Sequence, residues 1–434
     1  MTSSGGGLVP CMIPQLELFR QKPVQACIVG QVVEKLKPLA ALPTKPDVIE
    51  FASPGRPLHY LDINNITLRV VVHMRVKSTG LNLEDDDVKY SVVDSTLHSL
   101  FSQCEVFLSE TPVTKNPHLY GYKCLFDLYT TAGEDARKGP LSTIPLIPDE
   151  PANAVSGNKS FEARSKLFQK SARVELLGKL RADVCHMQGG LYIVDNVPLR
   201  VRLTVQKQEF FLWANTPTPD VELIFDDAEL WIPYFVGNPE LAMGIEATLQ
   251  EQPATYHFKG AQLKTFIQTP NNVDINIPVA FNGRLPSTIL FSMVKASDFN
   301  GLTPHNPYNF SHYDIQELSF FCNGVERRFL MNMSNELTCS TVLRSLYKDL
   351  GHDIEEIGGH AYTAEMLKHG RFACAVDLTI DHTGRGPSQN LDLHGTVRIQ
   401  GRLAAAQNYS ICIILYALYD SVLEINASRD VTLF

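Results

Sequence analysis

The chain has no stretch of about 18 consecutive apolar residues, the length a helix needs to cross a bilayer. Its longest apolar run, Ile411 to Leu418, is interrupted by Tyr416 and leads into Asp420. Basic charge is scarce: 38 Lys and Arg stand against 47 Asp and Glu, a net charge of −9, with no polybasic tail. Phosphate contacts need clustered cations, so sequence-specific nucleic-acid binding is not expected. The N-terminus lacks the basic and apolar regions of a secretory signal, and export by that route is not expected either. Paired cysteines are missing. The nine cysteines (Cys11, Cys27, Cys104, Cys124, Cys185, Cys322, Cys339, Cys374 and Cys412) occur singly and in odd number, with no Cys-x-x-Cys. That favours free buried thiols in a reducing compartment. The motifs GxSxG, GxxxxGK[ST], HExxH and GxGxxG are absent, as is any His-x-His among thirteen histidines.

What is present is a repeated order of elements. In Ile66–Val76 every even position is apolar and the odd positions are polar apart from Val71, the period-2 pattern of a strand with one face in a core. Thr288 to Ser297 is related to it at an offset of 219 residues, and Val106-Phe107-Leu108 has a partner in Ser319-Phe320-Phe321. Leu176, Gly178, Leu180, Ala182 and Val184 match Phe372, Cys374, Val376, Leu378 and Ile380 at an offset of 196. Leu199–Leu203 matches Val397–Gly401 at 198. One insertion in the first half, over Thr131 to Lys170, accounts for the fall in offset. Two copies of one all-β domain are indicated, and a chain of 434 residues is long enough for both.

The expected organisation is an N-terminal arm (1–47), a first domain (48–236), a connecting helix (237–253) and a second domain (254–434). The arm is rich in Pro and Gly but carries apolar anchors at Leu16, Leu18 and Phe19, so it reads as a segment that docks on something. In the first domain a helix is expected after Asn116 as cap and Pro117 as first residue, with Leu119, Tyr122, Phe126 and Tyr129 as a stripe and Gly133 as its end. Asn238-Pro239 opens a second helix, through Gln250. A third spans Glu336 to Leu350 and closes on Gly351. Asn323-Gly324 signals a type I′ hairpin. Each domain then holds about eight strands, and two packed four-stranded sheets make a jelly roll. The fold expected is all-β, two tandem eight-stranded jelly rolls with short helices in the connections. Their cores are expected to be independent, with the connecting helix at the junction. The roughly 40–50-residue repeats of a propeller and the Cys…Trp…Cys spacing of an immunoglobulin domain are absent.

No candidate for chemistry is specific. Glu84-Asp85-Asp86-Asp87 reads as a solvated loop, since a Ca²⁺ loop needs alternating ligands and a glycine. His352-Asp353-Ile354-Glu355-Glu356…His360 is the best metal candidate, yet Gly358-Gly359 leaves its ligands without fixed spacing. Cys185-His186 and Asp381-His382 are adjacent pairs, and neighbours on a strand point to opposite faces. Phe210-Phe211-Trp213 suits a sandwich core or subunit contact better than a nucleobase platform, which needs a flanking basic groove. No catalytic, cofactor or metal residues, and no enzyme activity, are therefore expected.

Several blocks resemble a known family. Leu97–Val106 is followed by the Tyr-rich segment Leu119–Tyr129. Later come Asn306-Pro307-Tyr308-Asn309-Phe310-Ser311-His312-Tyr313-Asp314 and Tyr416–Ile425. Together with Leu16–Phe19, Ile49–Phe51 and Tyr60–Asp62, they resemble the major capsid (hexon) proteins of Polinton/Maverick elements and adintoviruses, in order and over nearly the whole chain. Family members often carry Asn-Gly at the first hairpin, whereas Ser109-Glu110-Thr111-Pro112 stands here, leaving the turn type open. The resemblance implies a double jelly roll and a homotrimer whose six barrels tile like a hexamer. It also implies contacts with neighbouring capsomers and a penton (minor capsid) protein, and a place in the virion of an icosahedral double-stranded DNA virus or virus-like transposon. The alternatives are a penton-like protein, which usually has one jelly roll, a carbohydrate-binding β-sandwich, for which Trp213 and Trp231 are the only tryptophans, and a cupin-like metalloenzyme.

Overall fold

A computed structural model describes residues 24–83, 89–149, 157–333, 339–352, 362–386 and 388–434. In the first half the principal strands are β1 (Ile28–Leu36), β2 (Val48–Ser53), β3 (Thr67–Val76), β4 (Phe101–Leu108), β5 (Thr111–Pro112), β6 (Val174–Lys179), β7 (Leu199–Val205) and β8 (Val221–Gly237). In the second they are β9 (Ala254–Gln268), β10 (Asp274–Arg284), β11 (Thr288–Lys295), β12 (Ile315–Cys322), β13 (Val325–Leu330), β14 (Cys374–Asp377), β15 (His394–Leu403) and β16 (Ile411–Ile425). The sheets run β1-β8-β3-β6 and β2-β7-β4-β5, then β9-β16-β11-β14 and β10-β15-β12-β13. Adding eight to each strand number of the first pair gives the second pair. The duplication read from the sequence is thus present as topology, and every one of these sheets draws its strands from a single half. This is the jelly-roll arrangement, twice.

Side-chain alternation explains the placement. On β3, Leu68, Val70, Val72 and Met74 are fully buried while Arg69, Val71 and His73 face outward. The second half departs from this. Nearly every residue of β11 and β16 is buried, on both faces, which is why Ile411–Leu418 is apolar on both faces apart from the Tyr416 hydroxyl rather than alternating. Phe291 of β11 meets Phe320 of β12 edge-on across the barrel interior, centroids 6.3 Å apart. The opposite face is covered by the first half.

The arm drawn over residues 1–47 needs correction, because Ile28–Leu36 is a strand that pairs antiparallel with β8. Its side chains are mostly exposed, so hydrogen bonding, not an apolar face, places it, and alternation could not announce it. The anchors Leu16, Leu18 and Phe19, with Cys11, lie outside the described residues, as do Glu84–Asp87. The eight described cysteines are free.

Four helices matter here: α1 (Tyr120–Thr131), α2 (Lys159–Leu167), α3 (Pro239–Leu249) and α4 (Ser340–Asp349). Asn238 caps α3 by accepting the Glu240 N–H at 3.1 Å. Asn116 does not cap α1, which starts after Leu119 in a left-handed conformation; the Asn116 amide instead donates to Ala261 O at 3.3 Å. Gly133 does not end α1 by a left-handed turn, since Ala132 leaves the helix extended. Gly351 does close α4: with φ +77°, its N–H reaches Lys348 O and the His352 N–H reaches Tyr347 O, a Schellman motif. The start expected at Glu336 lies outside the described residues.

Both hairpin turns are settled. Asn323 and Gly324 have φ of 48° and 85°, and Ser109 and Glu110 have φ of 46° and 66°. The register brackets each pair, Cys322 with Val325 and Leu108 with Thr111, so both are two-residue turns with the positive φ of type I′. Ser109 and Glu110 hold it without the residues that favour it, at a cost of about 1–2 kcal/mol per left-handed residue. Glu110 pairs with Arg200 at 2.8 Å but is largely exposed, which offsets little. The double substitution Ser109→Asn, Glu110→Gly should therefore stabilise the protein by about 1 kcal/mol, read as a raised urea midpoint with unchanged slope.

Candidate functional site: the seam between the two halves

The outer face of sheet β9-β16-β11-β14 is covered by α1, and the turn over residues 93–99 meets Tyr308 and Arg371 of the second half. Phe126 of α1 lies 5.9 Å from Tyr416 of β16 and stacks on Phe310 at 5.1 Å. Tyr122, one turn earlier, stacks on Phe299 at 5.0 Å and meets Tyr308 and Phe210 edge-on at 5.3 and 5.6 Å. Its hydroxyl donates to Phe299 O at 2.9 Å and Pro307 O at 3.2 Å. Tyr308 and Ser99 share a hydroxyl hydrogen bond of 2.8 Å. Gly121 permits this approach, since a Cβ there would come within 2.8 Å of the Tyr308 hydroxyl. Burial pushes the phenols of Tyr120, Tyr122, Tyr129 and Tyr308 well above their usual range, so they remain protonated donors.

Beneath this aromatic layer lie four buried charges. Arg164 of α2 donates to Val92 O and Ile147 O, both at 2.7 Å, and pairs with Asp149. Arg371, in the second half, donates to Tyr308 O and to the Tyr129 hydroxyl, and its guanidinium is 3.4 Å from Asp94 and 3.6 Å from Asp149. Asp94 also accepts the N–H groups of Ser95 and Ile147 at 2.8 Å. Asn306 Nδ2 donates to Asp149 at 3.1 Å. Two cations and two anions thus balance, with their remaining donors and acceptors engaged by backbone and amide groups from both halves. Secondary ties surround them. Asp183, paired with Lys123, accepts the Ala261 N–H at 3.2 Å. Arg429 donates to Asp195 at 2.8 Å and pairs with Glu246 of α3. Arg385 donates to the Thr130 hydroxyl at 2.9 Å.

The expectation of independent cores is therefore corrected: the halves keep separate sheets but share one continuous core. Blocks that carry the family resemblance, 97–106, 119–129, 306–314 and the start of 416–425, converge at this seam. So does the insertion 131–170, whose polar, Pro-rich composition gave no hint that it supplies Asp149 and Arg164. Arg371 gave little signal either: it stands at the N-terminal edge of the apolar run Phe372-Ala373-Cys374-Ala375-Val376, directly after the polar Lys368-His369-Gly370.

The residues weighed for chemistry are dispersed. Cys185 and His186 lie in a 3₁₀ turn, not on a strand, and burial pushes the Cys185 thiol up to about 12. Asp381 accepts from Thr383, and His382 sits beside Arg327. His352 contacts Thr130 O at 3.1 Å; residues 353–360 lie outside the described residues. Phe210, Phe211 and Trp213 are buried, with Phe161 edge-on to Trp213 at 5.2 Å. Among the described residues no group of three or more His, Cys, Asp or Glu could hold a metal ion, and no helix is long and apolar enough to cross a membrane.

Replacing Arg371 by Met would leave Asp94 and Asp149 short of a counter-charge. It should destabilise by about 3–5 kcal/mol, measured by urea denaturation. A loss below 1 kcal/mol, far under that of a broken buried pair, would show that the cluster does not hold the halves. A second expectation concerns pH. Burial, reinforced by the Arg181 charge, lowers the His98 pKa from 6.5 to about 3. The folded protein therefore excludes a proton that the unfolded chain takes up. This contribution is complete above pH 6.5 and is lost as pH falls from there towards 3, at about 1.4 kcal/mol per pH unit. Between pH 7 and 5 the unfolding free energy should drop by about 2 kcal/mol on this account, and the drop should shrink correspondingly in His98→Gln.

No family model matches the sequence, and no curated protein matches it. Solved structures do. A chain of the Sputnik virophage structure superposes with a TM-score of 0.61 at 12% identity, covering 99% of this chain and 93% of that one. A chain of the PBCV-1 virus capsid gives 0.58 at 11%, covering 96% and 98%. The mavirus major capsid protein gives 0.53 at 10%, covering 100% and 97%. Over its whole length, with both barrels in the same order, this chain has the double jelly-roll fold seen in those viral capsid proteins.

Proposed function

We propose that the chain is the major capsid protein of an icosahedral double-stranded DNA virus or virus-like transposon, of the Polinton/Maverick and adintovirus type. In this reading three copies form a capsomer and six barrels surround its threefold axis. The observation that carries the reading is the seam. Two barrels of identical topology are locked at one angle by a buried ionic and aromatic layer, and this occurs over the full length shared with viral capsid proteins. A pseudo-hexameric tile requires that rigidity, because a hinge between barrels would let the trimer depart from sixfold spacing. The reading assigns the protein a structural role with no catalytic one and places it in the virion beside neighbouring capsomers and a penton protein.

Open sheet edges support the reading. β1 exposes Val29, Val32 and Val33, and β13 exposes Val325 and Leu330, both on edge strands. Apolar side chains on an unpaired edge invite association, and proteins that remain monomeric usually blunt them. In the capsid, neighbouring subunits would cover such edges, and the segment before β1 would tie capsomers together.

Light scattering on the purified protein should give about three times the 48.4 kDa chain mass, and electron microscopy should show capsomers or shells. A clean monomer at micromolar concentration, dispersed in micrographs, would overturn the proposal.

A further inference from the structure

A cleft of about 290 Å³ opens at the seam, walled by Lys115 and Asn116 of the first half and by Gln262, Arg284 and Tyr419 of the second. Two of its walls are cationic. Arg284 is ion-paired through its Nε–H with Asp392 at 2.6 Å, which offsets part of its charge, while its two terminal amino groups have no partner among the described residues. Lys115 has no hydrogen bond or ion pair there at all, and neither does the Tyr419 hydroxyl. Asp183 reaches the cleft but does not neutralise it: its oxygens are held by Lys123 and by the Ala261 N–H at 3.2 Å. Lys115 is exposed as a residue, but desolvation of its ammonium at the cleft wall and the Arg284 charge both disfavour its charged form, so the two cations act on each other across the opening. Like charges facing one cleft raise each other's cost, and an anion between them removes it.

From this geometry we infer that the cleft binds a small multivalent oxyanion, of the size and charge of inorganic phosphate. Lys115 and the Arg284 amino groups grip it as charge-assisted donors, and the Tyr419 hydroxyl completes the set. The volume leaves room for the anion and bridging waters. Because Lys115 belongs to one barrel and Arg284 to the other, the bound anion adds a tie across the seam that is distinct from the buried cluster. It stabilises the folded protein in proportion to occupancy.

The test is thermal unfolding of the full chain at pH 7 in potassium phosphate against potassium chloride at matched ionic strength. Wild type should melt about 2 °C or more higher in roughly 20 mM phosphate, rising with concentration. Lys115→Gln and Arg284→Gln should each lose most of that shift. Lys115 is exposed and Arg284 partly so, so both variants fold. Lys207→Gln, which removes an exposed cation away from the cleft, should keep it. No phosphate-specific shift in wild type, or one of equal size in wild type, Lys115→Gln and Arg284→Gln, would overturn the inference.

Discussion

Asp94, Asp149, Arg164 and Arg371 are removed from water together, and both halves of the protein are shaped around the need to satisfy them. A single buried ion of this kind costs several kcal/mol, and a pair repays the cost only when every remaining donor and acceptor finds a partner. Here the partners come from far apart in the chain: Val92 and Ile147 carbonyls, the Tyr129 hydroxyl, the Asn306 amide and the Tyr308 carbonyl. A shift of one barrel relative to the other would strand several of them at once. The cluster therefore contributes less to total stability than to uniqueness, because alternative angles between the barrels leave a charge unpaired. Apolar packing alone, as between Phe126 and Tyr416, would tolerate sliding far better.

The same constraint accounts for the asymmetry between two halves of identical topology. The sheet containing β3 and β8 turns one face to solvent, and its outward residues pair on the surface, Arg69 in an ion pair with Asp227 and His73 in a hydrogen bond with Asp226. Its counterpart containing β11 and β16 lies under α1, so its outward face carries Cys412, Ile414 and Tyr416 instead. The two barrels share one topology, and the contact between them makes their surfaces unequal. The insertion 131–170 exists in only one half for the same reason: one side of the contact must bring Asp149 and Arg164 into a space that the other side leaves open.

Much of the fold was legible because strands with one solvated face announce themselves by alternation, as at Ile66–Val76, and because turn and cap residues act locally, as at Asn323-Gly324 and Asn238. What escaped follows from long-range geometry. β1 is held by backbone hydrogen bonds to β8 and buries little, so its side chains carry no pattern. The seam charges sit in sequence among ordinary polar loops, and Asp149 and Arg164 become a core pair only when residues 306–314 and 371 arrive from more than a hundred positions away. Asn116 illustrates the converse. Its local capping chemistry was sound, but the helix begins only after a left-handed Leu119, out of reach of the Asn116 side-chain oxygen, and the Asn116 amide donates to Ala261 O of the other barrel.

The blocks with the strongest family resemblance are therefore the points where the two barrels interlock. In a fold whose sheets can be built from many apolar sequences, core positions drift among residues of similar volume. Positions that must pair with a specific buried polar group, such as Asn306 and Tyr308, or leave room for one, as Gly121 does, cannot drift without leaving a polar group unpaired or a steric clash. Proteins that share this architecture at 10–12% identity can retain the topology while most side chains differ. A recognisable sequence signature should then lie at the seam rather than along the strands, and in this chain its central blocks do.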